Sequence, residues 1–150
     1  MKVFSFVYVI FAICIAASLQ DTSFFPCDDG PVPKWLRVDG CDSPPCDFVR
    51  NTDLIAQWGF EANADAESLK PRVKVTLEGY TFDYPYPEKD ACKSLVDSEC
   101  PLSEGDEATY NLKMPISKVY PSVTLTIEFG LIDENDNVQV CFKLDGKVTG

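Results

Sequence analysis

The sequence contains no histidine, so the usual general base at neutral pH is absent. Of its seven cysteines, Cys14 falls in an apolar leader, leaving Cys27, Cys41, Cys46, Cys92, Cys100 and Cys141. If all of these are bridged, no thiolate nucleophile remains. Adjacent carboxylates occur at Asp28-Asp29 and Asp133-Glu134. Both pairs sit in turn-like sequence, where acids are solvated rather than poised as an acid–base dyad. The DENDN run from Asp133 to Asn137 offers oxygen ligands for calcium, but it lacks EF-hand spacing and reads better as a hairpin turn. Zinc finds neither histidine nor a C-x-x-C pair. No enzyme activity, metal or cofactor is expected.

What remains is an excess of large apolar side chains. Trp58, Phe60, Phe82, Tyr84, Tyr86, Tyr110, Phe129 and Phe142 all fall on apolar faces of alternating stretches. They can pack a core or line a cavity, and composition does not separate the two. The stretch from Thr81 to Cys92, TFDYPYPEKDAC, is more particular. Pro85 and Pro87 stiffen a loop that presents Tyr84 and Tyr86, which suits a rigid apolar rim.

The elements that position these residues follow from period-two patterns. Val123, Leu125, Ile127, Phe129 and Leu131 alternate with polar residues and glycine. After the DENDN turn, Val138, Val140, Phe142 and Leu144 alternate with Gln139, Cys141 and Lys143. This predicts a long hairpin with one apolar and one wet face, and with Cys141 on the wet face, free to pair elsewhere. Further strands are expected at Lys34 to Val38, at Phe48-Val49, and at Leu54 to Ala62. Asn63 to Lys70 reads as a polar connector ended by Pro71, followed by a strand through Val73, Val75 and Leu77. The apolar phase then shifts at Gly79, predicting a turn or bulge, and passes to Tyr80, Phe82, Tyr84 and Tyr86. Ala108 to Ile116 alternates as well, with Pro115 expected at an edge or strand end. No amphipathic helix of useful length is found. About seven short strands with turn signals between them predict an all-β antiparallel sandwich.

Val3 to Ala17 is an apolar run after Lys2, and Ala16-Ala17-Ser18 supplies small residues at the cleavage position. Residues 1–18 therefore read as a secretory signal peptide and 19–150 as one domain. The run is short for a membrane anchor and no charged stop-transfer segment follows it. In an oxidising compartment the six remaining cysteines imply three disulfides. Cys41 with Cys46, and Cys92 with Cys100, can close locally, which would leave Cys27 for Cys141 among the several possible connectivities. The net charge of −11 argues against nucleic acid and against constitutive binding to anionic membranes. No N-x-S/T sequon is present.

Several segments resemble the soluble Niemann–Pick type C sterol carrier family. They are VDGCDSPPC ending at Cys46, YPYPEKDACKS starting at Tyr84, CPL at Cys100, YPSVTLTIE starting at Tyr120, and DENDNVQVCF ending at Phe142. The family comprises ML (lipid-recognition) domains and includes the group-two mite allergens. The likeness runs from Phe24 to Val148 and takes in all six cysteines. It implies an immunoglobulin-like sandwich with a lipid cavity between its sheets, and the pairings Cys27–Cys141, Cys41–Cys46 and Cys92–Cys100. It also implies ligand contacts at Tyr84, Ile116 and Tyr120. Tyr84 stands where mammalian sterol carriers usually have Phe, and Ile116 where they have Val. Phe129 and Phe142 stand where those proteins usually have Trp. With Trp58 and Phe60 these residues form the candidate ligand-binding set. Lys93 matches a lysine associated with transfer at membranes; as a bare sequence feature it is an ordinary solvated charge.

The resemblance implies a secreted or lysosomal-lumen carrier of a sterol, in transient contact with a membrane or a membrane sterol transporter. A fatty acid or semiochemical is the alternative cargo. A cation at the pocket mouth would favour it, with Lys113 and Lys118 flanking Ile116 as candidates, although alternation turns Lys113 outward. A packed sandwich that recognises another protein, or microbial lipid in an immune complex, is the third reading.

Overall fold

The structure, a computed structural model, describes residues 20–150, so the expected signal peptide lies outside the described residues. In chain order the elements are β1 (Phe25–Pro26), β2 (Trp35–Val38), β3 (Cys46–Val49), β4 (Thr52–Glu61), β5 (Leu69–Leu77) and β6 (Tyr80–Asp83). A single 3-10 turn, Ala91–Ser94, follows, and then β7 (Leu95–Val96), β8 (Glu107–Ile116), β9 (Thr124–Asp133) and β10 (Val138–Thr149). One sheet runs β1-β10-β9-β5-β6, with β3 also beside β10; the other runs β2-β4-β8-β7.

The alternating stretches become the long strands. In β8, Ala108, Tyr110, Leu112, Met114 and Ile116 are buried while Asn111, Lys113 and Pro115 are exposed. Pro115 sits one residue from the strand's end, paired with Asp53, at no cost to the sheet interior. β9 and β10 form the expected hairpin, with Phe142 opposite Phe129 and Leu144 opposite Ile127. The phase shift at Gly79 is a two-residue turn between β5 and β6. Glu78 and Gly79 both take positive φ (51° and 83°), as a tight hairpin requires. The three disulfides join Cys27 to Cys141, Cys41 to Cys46 and Cys92 to Cys100. The first closes the longest loop, 114 residues apart in sequence, worth about 4–5 kcal/mol in the chain-entropy account.

Four expectations need correction. The described strands number ten rather than seven, and β3 runs parallel to β10, Gly146 facing Cys46. The chain crosses from β2 in one sheet to β3 in the other through the Cys41–Cys46 bridge, so β3 arrives heading the same way as the end of β10. Second, the connector is shorter than expected: β5 begins at Leu69 and contains Pro71, paired with Leu131. β6 covers only Lys74 to Leu77 on the other side, so Pro71 lies on an open edge, where a missing N–H is tolerated.

Third, Tyr80 and Phe82 do not face the core; they are 79% and 49% exposed. β6 is the last strand of the larger sheet, and the four strands opposite leave this edge uncovered. Fourth, Gln139 is buried rather than on the wet face. A bulge between Val138 and Val140 breaks the alternation there. The Gln139 amide then reaches the β4–β5 connector, donating to the Ala64 carbonyl and accepting from the Asn63 N–H.

Gln139 also donates to Asp133, whose carboxylate accepts the Asn135 and Asn137 backbone N–H groups. Burial works against the Asp133 charge, but these hydrogen bonds outweigh it and hold the carboxyl below its ordinary value of 3.8. A carboxylate with a depressed folded pKa stabilises the fold above its unfolded value, and that stability is lost as pH falls through the folded value. Urea midpoints should therefore stay level, as far as Asp133 is concerned, from neutrality down to about pH 5, and fall below about pH 4. Asp133→Ala, which leaves the buried Gln139 amide short of an acceptor, should cost roughly 1–3 kcal/mol in the same urea measurement and flatten the acid limb.

Candidate functional site

The inner faces meet through aromatic rings. Trp58 on β4 pairs with Tyr110 on β8, and their rings lie 4.7 Å apart. Across the seam, Trp58 stands 4.9 Å edge-to-face from Phe142 and 5.9 Å from Phe129. Phe129 and Phe142 are 5.6 Å apart, and Phe24 closes on Phe142 edge-on at 6.0 Å. Such tilted and edge-on pairs suit the charge distribution of aromatic rings. Trp58, Phe60, Phe129 and Phe142 are each no more than 3% exposed. The expected cavity is therefore closed at the centre: the side chains proposed to line it fill the seam. Several clefts lie on outer faces or among loops. One is a groove of about 660 Å³ that runs past Phe25, Pro44, Thr76, Thr126 and Asp145.

The rim is built differently. Tyr84 leaves β6 with its N–H on the Val73 carbonyl, and Tyr120 sits in the turn between β8 and β9. Their hydroxyls share a hydrogen bond of 2.6 Å, a polar link between two otherwise separate loops. Burial, then the bond to Tyr120, pushes the Tyr84 phenol well above its ordinary value, so the link stays neutral across physiological pH. Arg50 fixes the Tyr120 side. One terminal nitrogen donates to the Tyr120 carbonyl (3.0 Å) and the Ser122 hydroxyl (3.1 Å), and its Nε donates to the Gly150 carbonyl (3.1 Å). Ile116, 4% exposed, ends β8 just before this turn.

On the Tyr84 side, the proline loop is anchored by Glu88. Its carboxylate accepts the Ser94 hydroxyl at 2.7 Å and the buried Tyr110 hydroxyl at 3.2 Å. Burial raises the Tyr110 phenol far above its usual range and keeps it a donor. Tyr86 is buried, and its hydroxyl donates to the Lys113 carbonyl at 3.4 Å. Lys93 lies exposed on the 3-10 turn beside the Cys92–Cys100 bridge. Lys113 faces outward, 3.8 Å from Asp53, and so brings no cation to the rim.

The structure thus brings Trp58, Phe129 and Phe142 into one cluster and joins Tyr84 to Tyr120, with Ile116 buried at the end of β8. Phe60 is buried two residues along β4 from Trp58, and Lys93 stands apart on the surface. Arg50 and Glu88 escaped the sequence reading. A lone arginine beside a turn carries no pattern. Glu88 sits inside the quoted YPYPE segment, yet nothing in its spacing points to Tyr110.

Comparison with known proteins places the chain. The ML domain family model matches residues 21–148. The mouse protein named NPC intracellular cholesterol transporter 2 is 25% identical over 150 residues, covering 99% of each chain. Its Drosophila melanogaster homolog a is 28% identical over 121 residues, covering 77% of this chain and 80% of that one. Mite group 2 allergen Der f 2 of Dermatophagoides farinae is 27% identical over 117 residues, covering 77% and 78%. The crystal structure of a Niemann–Pick type C2 protein from Japanese carpenter ant superposes with a TM-score of 0.77 at 20% identity, covering 85% of this chain and 99% of that one, and so shares the fold. A family match spanning nearly the whole described chain, on a two-sheet sandwich with these three disulfides, means that the chain belongs to the ML domain family.

Proposed function

We propose that this protein is a secreted or lysosomal-lumen lipid carrier, cut to residues 19–150, that holds one sterol-sized molecule between its sheets and passes it on without covalent chemistry. The observation that carries this reading is the contrast between seam and rim. The seam at Trp58, Phe129 and Phe142 is held by non-directional apolar contact, while the rim at Tyr84 and Tyr120 is closed by a single phenol pair. No disulfide ties the Tyr84 loop to the Tyr120 loop. Opening the rim costs one hydrogen bond, about 0.5–1.5 kcal/mol net. Each 100 Å² of lipid surface then buried returns about 2.5 kcal/mol. Relatives named as cholesterol transporters support a sterol as cargo.

The Tyr84 hydroxyl favours a polar head at the rim, which a sterol hydroxyl or a fatty-acid carboxyl can supply equally. The filled seam is what favours a second reading, a packed module that recognises another protein. Loading the purified protein with a fluorescent sterol and displacing it with cholesterol or oleic acid separates these readings. Displacement mainly by cholesterol is the expected result. Displacement mainly by oleic acid would move the cargo to fatty acids, and no loading at all would leave the interaction module.

Tyr120→Ala should weaken ligand binding about tenfold or more with the fold intact, as judged by displacement and circular dichroism. Tyr84→Phe removes one hydroxyl only. It should speed ligand release several-fold while unfolding stability moves by less than about 1.5 kcal/mol. The net charge of −11 repels anionic bilayers, and protonation of surface carboxylates weakens that repulsion. Transfer to anionic vesicles should therefore run faster near pH 5 than near pH 7. Equal rates at fixed ionic strength would remove the electrostatic part of the mechanism.

A further inference from the structure

Trp58 carries a polar atom that the packing does not explain. Its indole Nε1–H is buried and has no hydrogen-bond partner, although the side chain is only 1% exposed and lies among Tyr110, Phe129 and Phe142. An indole nitrogen is a donor only, and a buried donor without an acceptor is normally selected against. The other aromatic positions of the seam are phenylalanines, or in Tyr110 a phenol already committed to Glu88. Phenylalanine would leave no orphaned donor there. The ring that carries this donor stands in the seam that the carrier reading assigns to the ligand.

Building on that reading, we infer that the Trp58 N–H recognises a neutral carbonyl oxygen, so that the preferred cargo is a long apolar ketone, aldehyde or ester that enters oxygen first. Three observations select this chemistry. Among the described residues the buried polar or charged side chains are Thr22, Asp133 and Gln139, and each already has its own partners. No cation lies among them, so an ionised carboxylate at this depth would be uncompensated. An alcohol oxygen could accept from Trp58 as well, but its own proton would need a second acceptor, and the neighbouring rings are Phe129, Phe142 and Tyr110, whose hydroxyl is turned to Glu88. A carbonyl oxygen accepts and has nothing to donate. A hydroxyl or carboxyl group at the opposite end of a ligand is served by the Tyr84–Tyr120 pair at the rim.

The test compares 2-heptadecanone with heptadecane, molecules of equal chain length that differ by one oxygen, as competitors for a fluorescent probe. The wild-type protein should bind the ketone more tightly, and Trp58→Phe should weaken the ketone about tenfold more than it weakens the alkane. An equal loss for both would make Trp58 a packing residue only, and no loss for either would place the oxygen elsewhere. A second readout needs no variant. The sequence has two tryptophans, and Trp35 lies on the outer side of β4 against Gly59, stacked by Arg37 at 4.5 Å. In a nitrogen–proton correlation spectrum, ketone should move the Trp58 indole proton downfield while Trp35 stays still, and alkane should not. An unmoved signal with bound ketone overturns the inference. If neither ketone nor alkane binds but cholesterol or oleic acid does, the inference fails and the carrier reading stands. If no lipid binds, both fail.

Discussion

A slip of one residue between β9 and β10 would turn Cys141 inward and Phe142 outward. In the register observed, Phe142 meets Phe129 on the inner face, and Cys141, opposite Gly130, reaches Cys27 on the outer face. That single pairing therefore sets both halves of the architecture. Behind the sheet it lets the longest disulfide hold β1 to β10. In front it presents two rings to Trp58 of the other sheet. The Asp133–Gln139 contact sits where the register could drift, at the turn and bulge, and pins both to the β4–β5 connector. Loss of the pin would act first on the register and only through it on the seam.

The seam and the rim use different forces, and that difference lets a packed sandwich also be a container. Aromatic contacts across the seam exchange readily for contacts with an apolar guest, because both states keep water away from the same rings. The hydrogen bond at the rim is directional, and it joins two half-buried hydroxyls close to solvent. The anchors farther back do not share that freedom. Arg50 binds three acceptors from two segments, and Glu88 ties the proline loop to a hydroxyl buried in the other sheet. Under the proposed carrier reading, any opening would be directed to the few residues around Tyr84 and Tyr120.

Period-two alternation carried most of the fold, because each long strand packs one face against the other sheet. Alternation reports which face a residue shares, not whether anything covers that face. Tyr80 and Phe82 keep the phase of a buried strand yet stand on an uncovered edge. Gln139 fails for the opposite reason: a bulge moved it, and the backbone groups that welcome it belong to residues some 75 positions away. Pro71 read as a stop because a strand interior seldom accepts it, and only the shortness of β6 makes it harmless. The aromatic rings that meet in the seam were legible from alternation, and the family resemblance singled out Tyr84 and Tyr120 as candidates. The link between their hydroxyls was not, since two residues 36 apart share no local pattern.

The acidic charge of the chain divides into groups with different duties. Asp29 is held ionised first by its hydrogen bond to Arg72, Asp133 by the turn and Gln139, and Glu134 by its own, Glu67 and Ser68 backbone N–H groups. All three carboxyls lie below their ordinary values, so mild acidification leaves these contacts in place. Under the proposed role in a lysosomal lumen, the frame would need to ignore the pH at which the surface changes. Locking the structural carboxylates through hydrogen bonds, with Arg72 at 2.8 Å from Asp29, meets that need without histidine. These three contacts therefore answer to strong acid alone.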